Sequence, residues 1–144
     1  NAGSRARNEA ADERSGQAMI YGIGTDIVRV GRIRDDLSRF GDRFAERILT
    51  ANELLEFHQN VNKANFLARR FAAKEAAVKA MGTGFSNGVI MHDIEVTHDE
   101  QGKPMLVFHG RAREFMQERS VAVAHISLAD EQDHAVAFVT LETA

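Results

Sequence analysis

The sequence predicts an α+β domain, and three observations carry that prediction. Segments with helical apolar spacing precede most of the segments that alternate as strands, which is not the regular strand–helix order of an α/β sheet. The strand-like runs 92–98 and 104–109, and then 122–128 and 134–142, come as neighbours joined by short polar loops. One long segment, 64–81, keeps a helical pattern throughout.

Taken in order, residues 1–18 are polar, rich in Arg, Glu and Ala, and without sustained periodicity. They read as a tag remnant or a frayed helix and are set aside from the fold. Residues 19–28 form a first strand interrupted by Gly22 and Gly24, which permit a close backbone approach or a bulge. Asp26 is the one carboxylate in that run. Aspartate is depleted in strands, so it sits at a turn or is kept for chemistry. Val30, Ile33, Leu37 and Phe40 share a helical face over about 30–41, ended by Gly41. Thr50-Ala51-Asn52-Glu53 is a capping-box pattern and starts a helix near Ala51 that carries Leu54, Leu55 and His58. Over 64–81, Leu67, Phe71, Val78 and Met81 make an apolar stripe, and Gly82 stands where helices often end in a left-handed residue. A loop containing Gly102 joins the next two strands. A helix over about 110–119 with Ala112, Phe115 and Met116 precedes the last strand pair, whose turn is Ala129 to Asp133.

The 144 residues fit one domain with a real core, and 44% hydrophobic with 27% charged content is ordinary for a globular protein. No apolar run approaches the ~18 residues of a membrane span, and no charged-then-apolar signal pattern is visible. Absence of Cys excludes disulfides, thiolate metal sites and a cysteine nucleophile, and is compatible with a cytoplasmic location. The net charge of −3 is uneven: residues 29–79 hold eleven Lys/Arg against seven Asp/Glu. A basic region on a mildly acidic chain argues against general nucleic-acid binding. It suits an acidic protein partner or a phosphorylated ligand, or is a solvated surface balanced by Asp35, Asp36 and Asp42.

The residues that carry chemistry cluster at two places. Arg70 with Lys74, and Glu75 with Lys79, are four apart, so each pair shares a helix edge. With the flexible Gly82-Thr83-Gly84 exit they suit a polyphosphate held with a metal. They equally describe a surface helix with a Glu–Lys pair worth ~0.2–0.5 kcal/mol. Asp26 and Glu75 can supply two hard oxygen ligands, as Mg²⁺ takes from one or two carboxylates plus phosphates and water. The six histidines show no zinc-enzyme spacing. Ser127, His125 and Asp130 lie too near one another on one strand for a triad.

Several ordered motifs together resemble the holo-[acyl-carrier-protein] synthase family, the small 4′-phosphopantetheinyl transferases, from Met19 to Glu142. They are Gly22 to Val28, Arg47 to Thr50 with Glu53, Phe71 to Ala76 through Lys79-Ala80 and Gly82 to Gly84, Gly102-Lys103-Pro104, and His125 to Leu128. Arg29 departs from the family, which often has Glu there. The resemblance implies a single domain over 19–144 with a curved, mostly antiparallel sheet and a long packed helix. It also implies a homotrimer with active sites at subunit boundaries. The implied reaction transfers 4′-phosphopantetheine from coenzyme A to a serine of apo-acyl carrier protein, in support of fatty acid biosynthesis. Asp26 and Glu75 would hold Mg²⁺, and Lys79 would neutralise the pyrophosphate. Arg70, Lys74, Gly82, Thr83, Gly84, Pro104, His125 and Ser127 would bind the coenzyme. Arg29, Arg32 and Arg39 would dock the acidic carrier, with Arg43 and Arg47 beyond them. No nucleic acid and no membrane enter this scheme. A rival is a non-catalytic module that binds a nucleotide or an acidic protein; co-occurrence of the Asp26 and Glu75 motifs favours the enzyme.

Overall fold

In a computed structural model that describes residues 17–144, the chain runs β1 (Ile20–Arg29), α1 (Val30–Phe40), α2 (Asp42–Ile48), α3 (Ala51–Gln59), α4 (Lys63–Met81), a 3₁₀ turn (Met91–Asp93), β2 (Ile94–His98), β3 (Pro104–Phe108), α5 (Gly110–Glu118), β4 (Val121–Asp130) and β5 (His134–Thr143). The expectation for the tail lies outside the described residues, apart from Gln17 and Ala18. The elements expected from the sequence lie within two residues of their predicted ends.

Gly22 and Gly24 let α4 lie directly on the backbone of β1. A Cβ on Gly22 would stand 1.9 Å from the carbonyl oxygen of Ala80, and one on Gly24 would stand 2.0 Å from that of Ala76. The helix answers with its own smallest side chains: Ala72, Ala73, Ala76, Ala77 and Ala80 are all buried. Beneath them β5 alternates strictly, sending Ala135, Ala137, Val139 and Leu141 into the core, each fully buried. The core is therefore a close alanine–glycine contact filled out by β5, with Ile33 of α1, Phe57 of α3, Phe66 of α4 itself and Leu49 between α2 and α3 around it. The bulge foreseen near the glycines is present between Ile20 and Gly22.

The strands make two antiparallel sheets, β1-β5-β4 and the hairpin β2-β3, where one sheet was expected. The edges of β3 and β4 line a common cavity without joining in a ladder. Helix α2 was not foreseen. It has seven residues and buries only Ala45 and Ile48, too few positions for a helical period to show. The capping box at Thr50 forms as the pattern required, with both reciprocal hydrogen bonds present.

Gly24→Ala is expected to destabilise the protein by about 1–3 kcal/mol or more, because the new methyl meets backbone that cannot turn aside. Gly31→Ala in α1, where a Cβ meets nothing within 4 Å, should instead add up to about 1 kcal/mol. Urea unfolding of both variants beside the wild type checks the pair.

Candidate active site

Helix α4 carries two chemical edges. On one, Glu75 and Lys79 look toward β1, whose Asp26 pairs with Ala137 and so belongs to the helix-facing side of the sheet. The Lys79 ammonium donates to Asp26 Oδ1 at 2.9 Å and to the Thr25 carbonyl at 3.0 Å. Lys79 is 52% exposed and Asp26 15%, so the pair opens to solvent at the rim of the helix–sheet contact. Desolvation, and then the Asp26 charge, push the Glu75 carboxyl above the usual carboxylate range, while Lys79 and Arg32 pull it back. Two acids and two cations thus meet at one edge.

Two neighbouring, partly exposed carboxylates fit a hard divalent cation. No group of three or more His, Asp or Glu among the described residues forms a protein-only metal cage. The donor set therefore suits Mg²⁺ completed by substrate oxygens and water, and does not suit zinc, which takes three or four protein ligands.

Arg70 and Lys74 fall on the other edge, and here the structure departs from the phosphate-binding role expected of them. Lys74 is 0% exposed; its ammonium donates to Glu53 Oε1 at 2.6 Å and to the Met91 carbonyl at 3.1 Å. Arg70 is 3% exposed, donates to Glu56 Oε2 at 3.0 Å and lies over the Phe66 ring at 4.5 Å. Burial lowers the pKa of both cations, with Glu53 acting against it for Lys74 and both glutamates for Arg70. An i,i+4 cation pair reads the same in sequence whether its edge is wet or dry, so the pattern could not tell the two apart. Gly82 does close the helix in the left-handed region, with φ 80°. The N–H groups of Gly82, Thr83 and Gly84 all turn back to the Val78 carbonyl, at 3.1, 3.3 and 3.3 Å, and Thr83 Oγ1 donates to the Gly84 carbonyl. The donors this turn was expected to offer a phosphate are engaged in capping.

Pro104 and His125 do come together. They line a cavity of about 370 Å³ at the β3–β4 seam with Lys103, Leu106, Ala124 and Ile126. Ser127 is exposed one pleat further along β4. His125 pairs with Thr140, and Ser127 with Phe138, which places both on the sheet face opposite α4 and Asp26. His125 Nε2 there stands 3.6 Å from Glu142 Oε2. Arg29, Arg32 and Arg39 are exposed, and Arg32 is near enough to act on Glu75. The sequence reading named Glu53 and Lys103 in motifs without roles; Glu53 is the partner of Lys74, and Lys103 lines the cavity. The capping box signalled Glu53's place in α3 but not its burial.

The profile of the 4′-phosphopantetheinyl transferase superfamily matches residues 22–139. The chain belongs to this superfamily. It is 58% identical over 125 residues, 87% of this chain and 99% of the relative, to holo-[acyl-carrier-protein] synthase of Halorhodospira halophila. The crystal structure of holo-[acyl-carrier-protein] synthase from Neisseria meningitidis superposes with a TM-score of 0.80 at 47% identity, covering 85% of this chain and 98% of that one. The Bacillus anthracis holo-(acyl-carrier-protein) synthase, solved in complex with CoA (3′,5′-ADP), superposes with a TM-score of 0.74 at 40% identity, covering 88% and 99%.

In this transferase the raised Glu75 pKa has a consequence for stability. A carboxyl whose folded pKa exceeds its unfolded value favours the fold while protonated, and that advantage disappears as pH rises through the folded pKa. Ionised Glu75 is then a local cost in the metal-free protein. Glu75→Gln should accordingly raise the Tm of metal-free protein at pH 7–8 and lose that advantage toward pH 4. Thermal unfolding across that range, in a chelator, is the check.

Proposed function

We propose that this transferase is a holo-[acyl-carrier-protein] synthase. It would move the 4′-phosphopantetheinyl group of coenzyme A to a serine of an apo-acyl carrier protein and release adenosine 3′,5′-bisphosphate. The observation that carries this is the meeting of Asp26, Glu75, Lys79 and Arg32 at one solvent-open edge, in a chain this close to proteins of that name. In the proposed reaction the serine oxygen attacks the β-phosphorus, and the bond from that phosphorus to the bridging oxygen breaks. Asp26 and Glu75 would hold Mg²⁺, which when bound supplies Lewis acidity and charge neutralisation at the pyrophosphate. Lys79, half exposed, neutralises the charge that grows on the leaving phosphate in the proposed reaction. Exposed Arg29, Arg32 and Arg39 would dock the acidic carrier, Arg32 standing nearest to Glu75. The product carrier would serve fatty acid biosynthesis in the cytoplasm.

The proposed assembly is a homotrimer. The sheet face away from α4 exposes Ile23 55%, Ile27 65%, Val123 43% and Phe138 46%, an apolar surface of the kind that subunits cover. Because His125 and Ser127 share that face while Asp26 lies on the other, one chain does not bring all the expected coenzyme contacts to its own carboxylates. In the proposed assembly a neighbouring subunit supplies the His125 and Ser127 contacts; the number three comes from the family resemblance. Phe138→Glu should reduce the sedimentation coefficient to that of a monomer, and an unchanged assembly would place the interface elsewhere.

Incubation with coenzyme A, Mg²⁺ and an apo-carrier should add one phosphopantetheinyl group to the carrier by mass spectrometry. Asp26→Ala should abolish that gain while keeping the fold, and transfer by this variant near the wild-type rate would remove the metal assignment. Arg32→Glu should raise KM for the carrier at low salt and lose its effect as salt rises, since exposed charges are screened beyond ~8–10 Å. Steady-state kinetics in both substrates, at two ionic strengths, separate this from a change in coenzyme binding.

A further inference from the structure

Glu53 gathers four parts of the fold at one buried carboxylate. Oε1 accepts from Lys74 Nζ at 2.6 Å and from the Thr50 N–H at 2.9 Å, and Oε2 accepts from the Val96 N–H at 3.1 Å. Lys74 in turn donates to the Met91 carbonyl at 3.1 Å. Arg70 Nε stands 3.7 Å from Glu53 Oε2. Glu53 is 1% exposed and Lys74 0%. One ion pair thus ties α4 to α3, β2 and the 3₁₀ turn, on the side of α4 away from Asp26.

Such a pair is a poor source of stability, because the desolvation of two charges rivals their attraction. It is a strong geometric constraint, because few arrangements satisfy every donor and acceptor at once. The pair adds a polar anchor to a helix whose closest contact with β1 is made of alanine and glycine, beside the apolar packing of Leu67, Val78 and Met81 in the core. Lys74 and Glu75 are consecutive, about 100° apart around the axis. Wherever Lys74 is held, the direction of Glu75 follows.

We propose that the Glu53–Lys74 pair is a positioning device for the carboxylate pair: it sets the rotation of α4, and with it the separation of Glu75 from Asp26. Glu53, on the far side of the helix from the reacting atoms, thereby governs how tightly a divalent cation binds. The inference rests on the reading of Asp26 and Glu75 as metal carboxylates.

Two variants test it. Lys74→Met removes the ammonium while leaving Glu53 the Thr50 and Val96 N–H groups and the Arg70 charge. Glu53→Gln keeps shape and an acceptor but weakens the grip on Lys74. Each is titrated with Mg²⁺ alone, following the metal-dependent rise in Tm, beside wild type and Asp26→Ala. Both variants should need about tenfold more Mg²⁺ or more for the half-maximal rise, the size typical of groups that orient metal ligands. The Mg²⁺ needed for half-maximal transfer should rise in parallel, with turnover at saturating Mg²⁺ near wild type. A merely structural role would lower the metal-free Tm and leave the Mg²⁺ midpoint in place; that result overturns the proposal and leaves the metal reading intact. Failure of both variants to fold also overturns it, assigning the pair to the fold itself. Absence of any Mg²⁺ response in wild type refutes the metal reading, and the proposal with it.

Discussion

The contact on which the rest of this structure depends is the one between the backbone of β1 at Gly22 and Gly24 and the alanine face of α4. No side chain larger than hydrogen fits at either glycine without standing 1.9–2.0 Å from a carbonyl oxygen, far inside van der Waals contact. This contact brings a helix and a strand that are fifty residues apart in the chain to within a backbone's thickness. It is also what lets the short carboxylate of Asp26 converge with Glu75 and Lys79. A bulkier interface would hold the two carboxylates apart, and the influence of Asp26 on Glu75 would fade.

Around that contact α4 separates its charges by environment. The Arg70–Lys74 edge is dry and faces the acidic residues Glu53 and Glu56. The Glu75–Lys79 edge is open and faces Asp26. Identical spacing in sequence therefore yields two environments on one helix, one edge buried against acidic partners and one open to solvent. The alanine strip lies between them, and the sheet takes that strip because β5 presents alanines of its own beneath it.

Much of this was legible from the residues. The strand with Gly22 and Gly24, the capping box at Thr50 and the long helix ended by Gly82 each have a local cause, so each stands where the pattern put it. The proximity of Asp26 and Glu75 was legible only as a pairing of motifs, and the structure supplies the close approach that makes it physical. Helix α2 was not legible because seven residues with two buried positions leave no period. The burial of Arg70 and Lys74 was not legible because their counter-charges, Glu53 and Glu56, come from another helix. The division into two sheets depends on whether the edges of β3 and β4 meet, which no local preference decides.

Asp26 lies on the face of the three-stranded sheet under α4, and His125 and Ser127 lie on the other face. The most direct test of the central claim is the location of the metal. Anomalous diffraction from crystals grown with coenzyme A and Mn²⁺ in place of Mg²⁺ should show a single strong peak bonded to carboxylate oxygens of both Asp26 and Glu75. A peak that touches only one of them, or one lodged elsewhere while the coenzyme is bound, would contradict the view that the glycine–alanine contact exists to bring these two carboxylates to one ion.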